Sequence, residues 1–216
     1  MTLTIIAATL KGGAGKSTVV QNLATCLHKA KHRVLIVDAD PQGTCAGWAE
    51  IASANGREGP PVVSMKAAAM RKDLRQVAEG WDVVVIDTPP RLGTEQRQAM
   101  LEADIVLFPV TPGPADAWAL QQSLAILEEA RGLRPELRAA IVLNRLDTRT
   151  GLADVTRDAM KDVGVPVLAT ALGNRVAYPE AMAVGSGVAA YAPSSPAAKE
   201  ATALTRAVLK MLESRS

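Results

Sequence analysis

Five short runs along the chain are apolar on both faces and rich in valine or isoleucine: Leu3–Thr9, Arg33–Asp38, Asp82–Asp87, Asp104–Val110 and Ala139–Asn144. A continuous apolar run without polar alternation is what a strand buried on both sides of a parallel sheet requires. A weaker run of the same kind covers Val165–Leu172. Helical segments are expected between them, at Lys16–Ala30, Ala67–Glu79, Thr94–Ala103, Asp116–Ala130, Gly151–Val163 and Pro196–Ser214. The alternation predicts an α/β, doubly wound fold, with a mostly parallel sheet flanked by helices. The 216 residues show no internal repeat and no low-complexity linker, so a single domain over 1–216 is expected.

Charge narrows the function classes. The net charge is +2, from 24 Lys and Arg against 22 Asp and Glu. That gives little general attraction for a duplex, so nucleic-acid binding would need a local patch. Cys26 and Cys45 form no metal-ligand spacing and read as free thiols in a reducing compartment. The apolar start lacks a basic leader, and no stretch approaches the ~20 apolar residues of a membrane span. A cytoplasmic protein is expected.

The chemistry falls at the carboxyl ends of the strands, where open α/β sheets bind ligands. After the first run comes "KGGAGKST", Lys11–Thr18. Gly12, Gly13, Ala14 and Gly15 can turn backbone N–H groups inward around phosphate oxygens, and the helix starting near Lys16 adds its dipole. In such a loop Lys16 bridges the β- and γ-phosphates, Ser17 holds Mg²⁺ through its hydroxyl, and Thr18 reaches the α-phosphate. Leu10 stands where the common loop has its first glycine, and a second lysine, Lys11, follows it.

The second run ends in "VDADPQG". Asp38 and Asp40 are spaced i, i+2 and face the same way if the strand continues. One would orient Mg²⁺-bound water and the other an attacking water. The third ends in "VVVIDTPP", where Asp87 suits a second anchor for a nucleotide's Mg²⁺.

"KGGAGKST", "VLIVDADPQG" and "VVVIDTPP" together resemble the ParA/MinD family of ATPases with a deviant phosphate loop. "FPVTPGPADAWAL" and "NRVAYPEAMAVGSGV" are similar to its small ParA branch. With the loop beginning at residue 11, no room is expected for an N-terminal helix-turn-helix domain. The resemblance implies ATP and Mg²⁺ as cofactors and slow ATP hydrolysis. It implies that Lys11 reaches across a homodimer interface to the nucleotide of the other subunit. It assigns Asp40 to water activation, Asp38 and Asp87 to the Mg²⁺ shell, and Asn144 to a position that can touch adenine. The loop Pro109–Pro114 matches a segment near the dimer face. The implied partners are non-specific DNA and a ParB-like or cargo adaptor protein that stimulates hydrolysis, on a nucleoid track. DNA contacts are expected in the C-terminal third, with Arg175, Lys199, Arg206 and Lys210 as candidates. Each has the alternative of an ordinary solvated charge.

Two other classes stay open. A metabolic enzyme on the same loop, such as a carboxylate-activating synthetase, would need an inserted substrate loop, and none is visible. A membrane-bound positioning ATPase of the MinD type would need a C-terminal amphipathic anchor. "TALTRAVLKMLESRS" places Leu204, Val208, Leu209 and Leu212 on one side, but it lacks large interfacial aromatics. It reads as a last helix packing on the sheet.

Overall fold

The computed structural model describes residues 2–90, 93–147 and 151–213. The five strong apolar runs form strands β1 (Leu3–Ala7), β2 (Val34–Asp38), β4 (Val83–Asp87), β5 (Ile105–Val110) and β6 (Arg138–Leu143). A short strand, β3 (Val62–Ser64), adds to the edge at β2. The strands form one six-stranded sheet in the order β3-β2-β4-β1-β5-β6, and every pairing is parallel.

The helices are α1 (Lys16–Lys29), α2 (Thr44–Ala54), α3 (Met70–Ala78, entered through a 3₁₀ turn at Ala67–Ala69), α4 (Gly93–Leu101), α5 (Pro114–Arg131), α6 (Leu152–Ala159), α7 (Ala177–Ala183), α8 (Val188–Tyr191) and α9 (Pro196–Glu213). Alternate strand residues serve opposite faces of the sheet. Ile5, Val34, Ile36, Val83 and Val85 join one core, with Leu23 and Leu27 of α1 and Leu204 and Val208 of α9. Ile6, Leu35, Val37, Val84 and Ile86 join the other, with Leu74 of α3, Met100 of α4 and Leu127 of α5. Such side chains are worth about 1.5–3 kcal/mol each when fully buried. This explains why both faces of every central strand are apolar.

The expected strand Val165–Leu172 is not a ladder strand. It touches β6 through a single bridge, Ile141 to Val167, and Pro166 has no N–H to donate. Pairing resumes only where Leu172 N–H donates to Leu143 O. Helices α2, α7 and α8 and strand β3 were not expected from sequence. The helix expected over Gly151–Val163 closes earlier, at Ala159, and α9 runs to Glu213, with Ser214 outside the described residues. No helix among the described residues is long and apolar enough to cross a membrane.

Candidate functional site

Parallel strands in register bring the site together. Ala7 on β1 and Asp38 on β2 both pair with Asp87 on β4. The loop that leaves β1 and two carboxylates therefore meet at the carboxyl edge of the sheet. Between β1 and α1 the chain turns through Gly13 (φ 77) and Gly15 (φ 96), in the left-handed region that favours glycine. Gly15 is the N-cap of α1, and no side chain caps that helix. Its first N–H groups face the loop as an anion site.

Lys16 is buried, and its Nζ donates to the carbonyls of Thr9 (3.5 Å) and Lys11 (3.4 Å), across the inside of the loop. Burial lowers its pKa, while Asp87 and Asp40 pull it back up. Phosphate would supply the strong counter-charge that these weak contacts do not.

Asp87 is fully buried, and its Oδ1 has no hydrogen-bond partner among the described residues. Its Oδ2 accepts a 3.4 Å contact from the Cys45 thiol. Burial raises its pKa to about 6, with Asp38 adding to the rise and the Ser17 hydroxyl opposing it. An orphaned carboxylate oxygen beside a serine hydroxyl and a phosphate loop fits hydrated Mg²⁺, which keeps waters between itself and its anchors. Burial and the neighbouring Asp87 and Asp38 push the Cys45 thiol up, so it is a neutral neighbour of this centre.

Asp38 and Asp40 do not share a strand face. β2 ends at Asp38, whose Oδ1 accepts from the Asp40 N–H (3.2 Å) and turns the chain away. Asp38 Oδ2 accepts from Ala46 N–H (2.9 Å) in the first turn of α2, so this buried carboxylate also caps that helix. Asp40 is half-buried, in a turn braced by Gln42 N–H donating to its Oδ1 (3.0 Å). The two residues thus take distinct places, one fixed and dry, the other facing the open side.

Lys11 does not extend freely into solvent. Its ammonium pairs with Asp116 near the start of α5. Asn144, just beyond β6, donates through Nδ2 to Ala14 O (2.9 Å) and accepts the Arg145 N–H at Oδ1 (3.0 Å). It braces the loop and also lines a cavity of about 510 Å³. Thr18, Arg145, Asn174 and Tyr178 line the same cavity, which opens beside the start of α1 and suits a base and sugar. Arg145 adopts a left-handed φ of 53, uncommon for a residue with a side chain.

Arg175 is a wall of this cavity and is ion-paired to Glu200 of α9, with Nε donating at 2.7 Å. Glu200 also accepts from Gly173 N–H and the Tyr178 hydroxyl, and burial with the Glu200 charge raises the Tyr178 pKa. Lys199, Arg206 and Lys210 are exposed on α9 at i, i+7 and i+11, which is one stripe of the helix. Sequence reasoning missed Asp116, Cys45, Arg145, Asn174 and Tyr178. Two quoted segments carried a signal: "FPVTPGPADAWAL", which holds Asp116, and "NRVAYPEAMAVGSGV", which holds Asn174 and Tyr178.

Residues 5–188 match the CobQ/CobB/MinD/ParA nucleotide binding domain. The "Maintenance of carboxysome distribution protein A" of Halothiobacillus neapolitanus is 36% identical over 186 residues, 86% of each chain. The chromosome-partitioning ATPase Soj of Thermus thermophilus is 32% identical, covering 97% of this chain and 96% of its own. The MinD protein of Pyrococcus horikoshii, solved with Mg-ADP, superposes with a TM-score of 0.78 at 22% identity, over 99% of this chain and 98% of that one. With its phosphate loop, its paired strand-end carboxylates and this match over most of its length, the chain belongs to the CobQ/CobB/MinD/ParA nucleotide-binding family.

Proposed function

We propose that the protein is a ParA-type positioning ATPase. ATP and Mg²⁺ bind at the carboxyl edge of the sheet, and the ATP-bound form dimerises. A partner protein then stimulates slow hydrolysis to ADP and phosphate. The observation that carries this reading is a second lysine, Lys11, at the mouth of a loop whose own lysine, Lys16, already lies inside it. Lys16, Ser17 and Asp87 surround the place for the β- and γ-phosphates and Mg²⁺. Asp40, on the open side, is suited to orient the attacking water. Lys11 serves the nucleotide of a second copy. Trp118 on α5, 68% exposed two residues beyond Asp116, suits a face covered in such a dimer.

The dimer binds DNA without reading sequence, through the α9 stripe Lys199, Arg206 and Lys210. Two copies double a patch that is weak in one. The two named relatives serve different cargoes, a carboxysome and a chromosome. The cargo of this chain is set by its adaptor.

The apolar side of α9 speaks against a MinD-like membrane anchor: Leu204 and Val208 are buried in the core shared with α1, not offered to lipid. The deciding experiment measures ATP turnover alone, with DNA, with liposomes, with small carboxylates, and with DNA plus an adaptor encoded beside the gene. Stimulation by DNA and adaptor together is expected. Stimulation by liposomes, or by a small carboxylate, would replace this reading with one of the other two.

A further inference from the structure

Asp116 is 4% exposed, yet it sits at the mouth of the phosphate loop. It is the third residue of α5, and its Oδ1 accepts from Thr111 N–H (3.3 Å), bracing the turn into the helix. Its Oδ2 accepts from the ammonium of Lys11, 105 residues earlier in the chain. The backbone beside Lys11 is tied to the same helix, since Leu10 N–H donates to the buried Ser123 Oγ at 3.2 Å. The Lys11 main chain is thereby anchored to α5, while its long side chain has two places to go.

We propose that Asp116 is a positioning residue that holds Lys11 on its own subunit, as a counter-ion exchanged for phosphate only when a nucleotide-loaded second copy arrives. This rests on the reading of Lys11 given above. A buried carboxylate stripped of its cation is costly unless something replaces that charge. Here the positive end of the 18-residue helix α5 does so in part, because Asp116 lies in its first turn. A polyphosphate carries more negative charge than one carboxylate, so the exchange runs outward only when one is presented. The pair thus guards against dimers formed without nucleotide.

The test is the dimer dissociation constant, measured by sedimentation with Mg²⁺ and a non-hydrolysable ATP analogue. Asp116→Asn keeps an acceptor for Thr111 N–H but removes the charge. It is expected to tighten the dimer about tenfold, or about 1.4 kcal/mol, and to leave it unchanged in a Lys11→Met background. A merely structural pair would give no tightening, or weaker dimers from a loosened loop, and either result overturns the proposal. So does tightening that persists without Lys11. A second measurement needs no variant. In the nucleotide-free wild-type protein, Lys11 should react with an amine-acylating reagent several-fold more slowly than the exposed Lys199 and Lys210, as read by mass spectrometry. Equal rates overturn the proposal even if Asp116→Asn does not fold. A wild-type chain that binds no ATP overturns the functional reading instead, and is distinguished by normal slow labelling of Lys11.

Discussion

Gly15 and Asn144 approach so closely that no side chain fits between them: a Cβ on Gly15 would lie 2.0 Å from Asn144 Nδ2. The asparagine comes from the end of β6, 130 residues away from the loop carbonyl that it holds. Gly15 also has a φ of 96. Gly15→Ala should therefore destabilise the fold by about 1–3 kcal/mol and abolish ATP binding. Asn144→Ala in the same chain should restore part of the stability but not the binding. Thermal unfolding and calorimetric titration with ATP check both.

Lys16→Ala should remove nucleotide binding, because no other ammonium among the described residues lies inside the loop. Calorimetry showing wild-type affinity would refute the assignment of the phosphate loop.

Asp40→Ala should retain ATP binding and ATP-dependent dimers while losing at least ~10²-fold in turnover, the usual scale for a group that handles the attacking water's proton. Asp38→Ala should behave differently. It uncaps α2 as well as weakening Mg²⁺-dependent binding, so its melting temperature should fall. Steady-state turnover and unfolding curves separate the two aspartates.

Asp87→Asn should split stability from function. Its folded pKa of about 6 lies above the unfolded value, so folding favours the protonated form. Through the window between ordinary carboxylate values and about pH 6, rising pH deprotonates Asp87 in the unfolded chain first, and the folded state loses stability. Above that window the penalty is fully present unless Mg²⁺ offsets it. The carboxamide removes it, so the nucleotide-free variant should be more stable at pH 7 by about 1–3 kcal/mol. It should also lose Mg²⁺-dependent ATP binding. Urea denaturation at pH 4 and pH 7 tests the sign: the gain should shrink at the lower pH.

DNA affinity should fall steeply with salt, with a log–log slope of about −0.9 for each phosphate contacted. Lys199→Ala and Arg206→Ala should each weaken binding to all sequences alike and flatten that slope. Arg175→Ala should act chiefly on the cavity beside α1, because it releases Glu200 and the wall around Tyr178. Fluorescence anisotropy with unrelated duplexes, with and without ATP, reads both effects.

The central sheet and the phosphate loop were legible in the sequence because their causes are local. A strand buried on both faces must be apolar at every position, and a loop that folds around phosphate must use glycine at left-handed positions such as Gly13 and Gly15. Strand ends also marked Asp38 and Asp87 without any knowledge of which strands pair. Tertiary structure alone decided what those residues touch. Register across β2 and β4 set Asp38 opposite Asp87. Packing of α5 beside the loop gave Lys11 its counter-ion in Asp116. The path of the chain after β6 brought Arg175 to Glu200, so an expected surface charge became the wall of a cavity. Strand β3 escaped because it has only three residues, and helix α2 because its cap is a carboxylate from the end of another element. Local pattern encodes which segments must be buried, whereas the contacts between segments far apart in sequence exist only once the topology has closed the distance.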